Sequence, residues 1–355
     1  MYNVSVSPHV RDKSSTKSIM RDVAIALVPT LGFGVYQFGW NALLLIAISV
    51  LSCVGFEALY ELLAKKPITV FDYSAVVTGL ILAVNLPPTA EWWMPILGSA
   101  FAIIVVKMLF GGLGQNFMNP ALAGRAFLAI SFAQRMTNFA VDGYSGATPL
   151  AVLKDGKLVD IKDVFLGFQS GCIGEVSALA ILIGAAYLVC RRVISLRIPI
   201  TYIVTTVVVA TLIRYGGIQG ISAALADVKN IISAYNSETL TFGAAMGSIL
   251  SRIFSHSLAE LFSGGLLVGA FFMATDYVSS PVTVKGQIVF GLIIGLLTAL
   301  FRTLGQSAEG VSYAILIGNL LVPLIENRTV PRAFGCEREK WFRKLIKEGE
   351  DDGKK

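Results

Sequence analysis

The chain has 355 residues, 55% of them hydrophobic and only 15% charged. Water-soluble domains carry roughly 25% charged residues, so the two soluble domains that length alone suggests are excluded in favour of a polytopic helical membrane protein. The formal net charge of +6 does not indicate nucleic-acid binding, because Lys and Arg gather in the tails and in short connections between apolar runs.

Met1–Arg21 is polar, lacks the apolar core of a cleavable signal, and reads as part of an N-terminal tail over 1–22. The first apolar run, Val23–Gly39, is then expected to be an uncleaved anchor. Ten candidate helices follow from apolar runs and Pro/Gly punctuation: 23–39, 41–63, 74–86, 93–113, 120–133, 173–190, 198–214, 261–275, 286–304 and 310–325. Four of them, at 74–86, 120–133, 261–275 and 310–325, fall short of the roughly 20 residues that cross a bilayer. Short segments bounded by Pro or Gly predict helices broken within the membrane. The transmembrane domain is thus expected over 23–325, with a basic tail over 326–355.

Twenty of the 29 Lys and Arg fall on one face, among them Lys107, Arg191, Arg192, Arg197 and Lys285. Eight fall on the other, among them Arg135, Arg214, Arg252 and Arg302. This asymmetry predicts both termini in the cytoplasm and the connections 134–172 and 215–260 outside. The stretch Gly79–Pro87 echoes Gly269–Asp276, each reaching a polar residue, Asn85 or Asp276, before prolines or serines. Two five-helix halves would be related by inversion, as in many transport proteins.

Cys53, Cys172, Cys190 and Cys336 form no CxxC pair, which argues against a cluster or a disulfide framework built by this chain. His9 reads as tail and His256 as loop, which leaves no bis-His haem site between helices. Glu57 and Glu61, one turn apart, read as a solvated face rather than an ion site. No GxGxxG follows a strand, and there is no Walker loop; glycine pairs such as Gly264–Gly265 read as close helix packing. Nicotinamide and Fe–S chemistry is therefore expected on partner chains.

The stretch Asp142–Leu150 reads first as an Asp-Gly turn and a small-residue loop. Within it, Ser145–Gly146–Ala147–Thr148 resembles the flavin-attachment motif in membrane subunits of the Rnf and Na⁺-translocating NADH:quinone reductase families. The resemblance implies FMN bound covalently to Thr148 through a phosphoester, with Ser145, Gly146 and Ala147 completing the motif on an extracytoplasmic loop. Gly111–Arg125 resembles the Gly-rich, Asn-Pro segment of the same families. Read from the residues alone, Asn119 is an N-cap and Pro120 a first-turn proline. The resemblance adds a second, non-covalent flavin, riboflavin, for which Asn116 and Asn119 could supply polar contacts.

Arg125 lies inside an apolar run, where charge is costly and by default functional, although snorkelling to the membrane edge is an equal reading. In the functional reading it stabilises negative charge on a reduced flavin. Ala274–Pro281 also resembles the families, which makes Asp276 either a flavin contact, a cation-coupling carboxylate or an exposed boundary residue. Tyr277 departs from the proline expected there. With only about 20 residues ahead of the first apolar run, the resemblance is nearer to the D-subunit branch of the Rnf complexes.

That branch implies an all-α, flavin-carrying subunit of an ion-translocating complex in the bacterial inner or plasma membrane. The complex moves electrons between ferredoxin and NAD⁺ and couples them to Na⁺ or H⁺. Its other subunits hold Fe–S, NADH-binding and further FMN sites, and a flavin transferase matures the chain. Two other readings remain open: a channel or secondary transporter of inverted-repeat type with no redox role, and a structural anchor for redox partners.

Overall fold

The computed structural model describes residues 15–139, 148–154, 159–216, 242–305 and 310–331, and among these there is no strand. Ser15 caps the first helix, α1 (Thr16–Phe38), its hydroxyl accepting from Ser18 N at 3.2 Å. Helix α1 starts well before the apolar run because its polar first turns are tied down. Asp22 is buried and accepts from Arg191 Nη2 at 3.0 Å and from the Tyr187 hydroxyl at 3.3 Å. Gly39, at φ +73°, stops α1 and lets α2 (Trp40–Leu63) begin at once.

The next elements are shorter. Helix α3 (Ser74–Val84) and helix α4 (Trp93–Met108), whose second half is π-helical, lead to α5 (Pro120–Ser131). Two short helices, α6 (Pro149–Lys154) and α7 (Ile161–Leu166), lie in the connection to α8 (Ala178–Cys190). The long α9 (Arg197–Gly216) and α10 (Phe242–Phe262) follow, then the short α11 (Leu266–Met273). Helices α12 (Val284–Leu304) and α13 (Gly310–Thr329) close the bundle.

By length and composition, α1, α2, α9, α12 and α13 can each cross a membrane. A sixth crossing is available if the end of α10 and α11, bent by 61° at a short break, are counted together. Helices α3, α4, α5 and α8 are apolar but have 10–17 residues. The long helices bury only 28–50% of their apolar windows inside the protein. Their remaining faces carry Leu51, Val204, Val208, Leu212 and Leu292 outward, as lipid contact requires.

Three sequence expectations change here, the first being that 310–325, expected to fall short, is the 20-residue α13, long enough to cross. The expected outer connection 215–260 contains most of α10, so His256 is a buried helical residue rather than a loop residue. The expected helix 261–275 is instead the bent joint between α10 and α11. Ser263, Gly264 and Gly265 break it, with Gly264 at φ +63°, a conformation that glycine adopts without penalty.

Close approach sets the packing. Helix α9 runs along α12, and a Cβ on Gly295 would sit 2.7 Å from the Thr205 Cβ, so the helices meet only because that side chain is missing. Helix α3 stops inside the bundle, and the segment before α8 covers its end. Ile173 N donates to Leu86 O at 3.0 Å and Gly174 N to Val84 O at 2.9 Å. Those bonds satisfy carbonyls that have no water at that depth. The two segments that echo each other in sequence also meet, with Asn85 Nδ2 4.0 Å from Met273 Sδ.

Candidate functional site: two clefts and a polar layer

Two clefts enter the bundle near α5. One opens beside the start of α5, where Pro120 occupies the first turn and Asn119 caps it. The Asn119 Oδ1 accepts from Ala121 N at 3.1 Å and Leu122 N at 3.4 Å. A cavity of about 80 Å³ lies among Thr78, Lys107, Asn116, Asn119, Phe272 and Asp276. Ligand sites are in general mostly apolar with a few placed polar groups. The wall fits that description: Ile81, Leu113, Phe271 and Phe272 are apolar, whereas Asn116, Thr275 and Asp276 are polar. Asn116, Asn119 and Asp276, three of the residues expected at a second flavin, are thus together.

Asp276 is half-buried beyond the end of α11, and Ser279 Oγ donates to its Oδ2 at 2.8 Å. Burial pushes its carboxyl above the ordinary value, and hydrogen bonds from Ser279 and the Val278 backbone partly offset that rise. Tyr277, the departure from the expected proline, gives its hydroxyl to Val193 O and ties this turn to the connection after α8.

Arg125 does not join this cleft. Its 3% exposure excludes snorkelling to the membrane edge. The guanidinium donates to Asn85 O at 3.3 Å through Nε and to the Ser312 hydroxyl through Nη1. It faces the second cleft, about 30 Å³ in volume, together with Thr148, Gln169, Glu175, Gly265 and Arg302. Asn119 and Arg125 are six residues apart on one helix, about 9 Å of rise. A thin polar layer therefore separates the clefts. Asn119 Nδ2 reaches Met273 O at 3.4 Å across it, and with its amide oriented to match its neighbours Asn319 accepts from Asn119 N at 3.1 Å.

Thr148 lies at the head of α6, half-buried, its Oγ accepting from Ala151 N at 3.4 Å. Ser145, Gly146 and Ala147, the rest of the attachment motif, lie outside the described residues. Opposite Thr148, Arg302 is held by Glu260: Nη1 donates to the Glu260 carbonyl at 3.0 Å and to its Oε1 at 3.4 Å. Glu260 in turn lies 4.0 Å from Arg214.

Two residues that charge counting assigns to the membrane faces are internal. Lys107 and Arg302 have side chains 2% and 1% exposed. Lys107 Nζ pairs with Glu57 Oε2 at 2.6 Å and donates to Ser74 Oγ at 2.7 Å. Ser74 N and Oγ in turn donate to Asp72 Oδ1 at 2.7 and 2.6 Å. Glu57 and Glu61 are both 1% exposed, which corrects their reading as a solvated face; Glu61 accepts from Thr69 N at 3.0 Å. The sequence signal for Lys107 and Arg302 is the same as for Arg125: a basic residue inside an apolar run.

The chain is 46% identical over 346 residues to the D subunit of the Na(+)-translocating ferredoxin:NAD(+) oxidoreductase complex of Acetobacterium woodii, covering 95% of this chain and 96% of that one. It is 38% identical to the D subunit of the proton-translocating ferredoxin:NAD(+) oxidoreductase complex of Clostridium ljungdahlii, covering 95% and 97% of the two chains. With the D subunit of the ion-translocating oxidoreductase complex of Aliivibrio salmonicida it shares 32% identity over 94% of this chain and 99% of that one. Residues 3–335 match the NQR2, RnfD, RnfE family, and the chain belongs to it.

Proposed function

We propose that this chain is the flavin-carrying D subunit of a membrane complex that passes electrons between ferredoxin and NAD⁺ and couples them to Na⁺ or H⁺ translocation. The observation that carries the reading is Thr148 at the mouth of a recess walled by Arg125 and Arg302. One feature of the recess suits the phosphate of FMN: a buried guanidinium nitrogen on Arg302 without a partner among the described residues.

Attachment is a group transfer that this chain only accepts. The Thr148 hydroxyl attacks the flavin-side phosphorus of FAD, an O–P bond forms, and the pyrophosphate P–O bond breaks. AMP leaves with the electron pair, and the hydroxyl proton is released. A partner transferase supplies the base. Once bound, FMN contributes reversible electron acceptance. The chain contributes a site buried from water and cations that favour an anionic form.

The first cleft would hold a second, non-covalent flavin such as riboflavin, for which Asn116, Thr275 and Asp276 would supply the polar contacts. The Lys and Arg distribution supports cytoplasmic termini and an extracytoplasmic Thr148. Helices α3, α4, α5 and α8 are partial spans which, with the long helices and the bent pair, complete ten segments in two inverted halves. The meeting of Asn85 with Met273 supports this symmetry. Fe–S, NADH-binding and further FMN-carrying subunits are the partners.

Membrane vesicles containing the whole complex test the reading. With Thr148→Val, the complex should assemble, lose covalent flavin from this chain, and lose ferredoxin-dependent NAD⁺ reduction. Undiminished electron flow would reduce the chain to an anchor. Protein that stays colourless when produced with a flavin transferase would favour a transporter without redox role.

A further inference from the structure

The recess beside Thr148 holds chemistry that the attachment reaction leaves unused. Arg302 is 1% exposed, yet its Nε has no hydrogen-bond partner among the described residues. Its other nitrogens are engaged: Nη1 with Glu260, and Nη2 with Ser263 O at 3.0 Å. Those bonds fix the guanidinium plane and leave Nε as the spare donor. A buried donor of this kind normally has a partner.

The backbone beside it carries no side chain at Gly264 and Gly265, and Glu175 Oε1 packs against Gly265. A Cβ on Gly264 would lie 3.3 Å from Arg302 Nη2 and 3.6 Å from Leu150 Cδ2, two residues beyond Thr148 in the chain. Just past Gly264 the second half of the broken helix starts, so its positive N-terminal end enters the same recess. Arg125 brings a second guanidinium to the wall.

A phosphodiester formed on Thr148 would place its phosphorus one covalent bond from the Oγ of a residue that lines this recess. The phosphodiester carries one negative charge and two non-bridging oxygens, both acceptors, and a guanidinium N–H is a strong donor to such oxygens.

We infer that this recess is a phosphodiester site, with Arg302 Nε as its dedicated donor, Arg125 as the second cation, and Glu260 as the positioning residue that turns Arg302 toward it. The inference rests on flavin attachment at Thr148 and specifies which part of that flavin this chain grips.

The test uses the full chain in detergent with Thr148→Ala, titrated with inorganic phosphate against chloride at constant ionic strength. Thermal unfolding and phosphorus NMR are the readouts. Phosphate should raise the Tm, and its Kd should weaken about tenfold or more when Arg302→Gln is added. Arg302→Lys keeps the charge without the planar fork, and should bind more weakly than arginine. Flavin-loaded wild-type chain should show no phosphate response, since its recess is filled.

A Thr148→Ala chain indifferent to phosphate would overturn the inference, as would equal binding with Arg302→Gln. Should that variant fail to fold, undiminished binding by Arg302→Lys does the same. Wild-type chain without in-gel flavin fluorescence after denaturation would refute attachment, while the phosphate response would still report on the anion site.

Discussion

Arg302 Nη2 donates to the carbonyl oxygen of Ser263 at 3.0 Å, closing the end of α10 where the chain bends by 61° into α11. The bend faces Thr148 across the second cleft, so one side chain serves both the broken helix and the recess. Replacing Arg302 with Met leaves the Glu260 carboxylate and two helix-end carbonyls without a main donor. The cost should be about 3 kcal/mol or more, read as a lowered unfolding midpoint in detergent. A midpoint unchanged from wild type would mean that Arg302 does not hold the bend.

Lys107 and Glu57 form another internal ion pair. Removing either partner alone strands a buried charge, so Lys107→Met and Glu57→Gln should each destabilise by about 3–5 kcal/mol. The double variant should lose less than the sum of the two. A double-mutant cycle on unfolding free energies measures the difference. Additive losses would show that the pair does not act as a unit.

Asp276 gives a pH-dependent outcome. Its folded carboxyl is raised above the ordinary value by burial, so the fold favours the neutral form. Stability from this group is then present at low pH and is lost as pH rises through the elevated folded pKa. Asp276→Asn keeps an acceptor for Ser279 and removes that loss. The variant should be at least as stable as wild type near pH 8, with the advantage shrinking toward about pH 4. A wild-type advantage near pH 8 would contradict this, and would assign the carboxylate a counter-ion, with Lys107 as the cation on the same cleft.

Gly295 tests the α9–α12 seam. A Cβ there would lie 2.7 Å from the Thr205 Cβ, so Gly295→Val must push the helices apart. The expected loss is about 1–3 kcal/mol. No change in thermal midpoint would show that the seam is looser than its geometry.

Local signals are legible in the residues themselves. Asn119 followed by Pro120 is a helix start by propensity alone, and it caps α5 as expected. Arg125 in an apolar run announces an internal charge, though its place at the Thr148 cleft, rather than beside Asn116, depends on the path of α5 through the bundle. Lys107 and Arg302, counted toward the membrane faces, and Glu57, read as solvated, are misplaced for one reason: their partners are distant in the chain. Glu57 and Lys107 sit on α2 and α4, and Arg302 and Glu260 on α12 and α10. A reading of single residues puts them at a wet surface because it cannot see the pair that makes burial tolerable. The break after α10 is likewise hidden, since Gly264–Gly265 in sequence matches a packing motif as well as a hinge.

The most direct test of the account is tandem mass spectrometry of the 136–154 peptide, cut between Arg135 and Lys154, from chain produced with its flavin transferase. The account predicts an FMN adduct localised to Thr148 and absent from Thr148→Ala. An unmodified peptide, or an adduct on Ser145 or another residue, would contradict it.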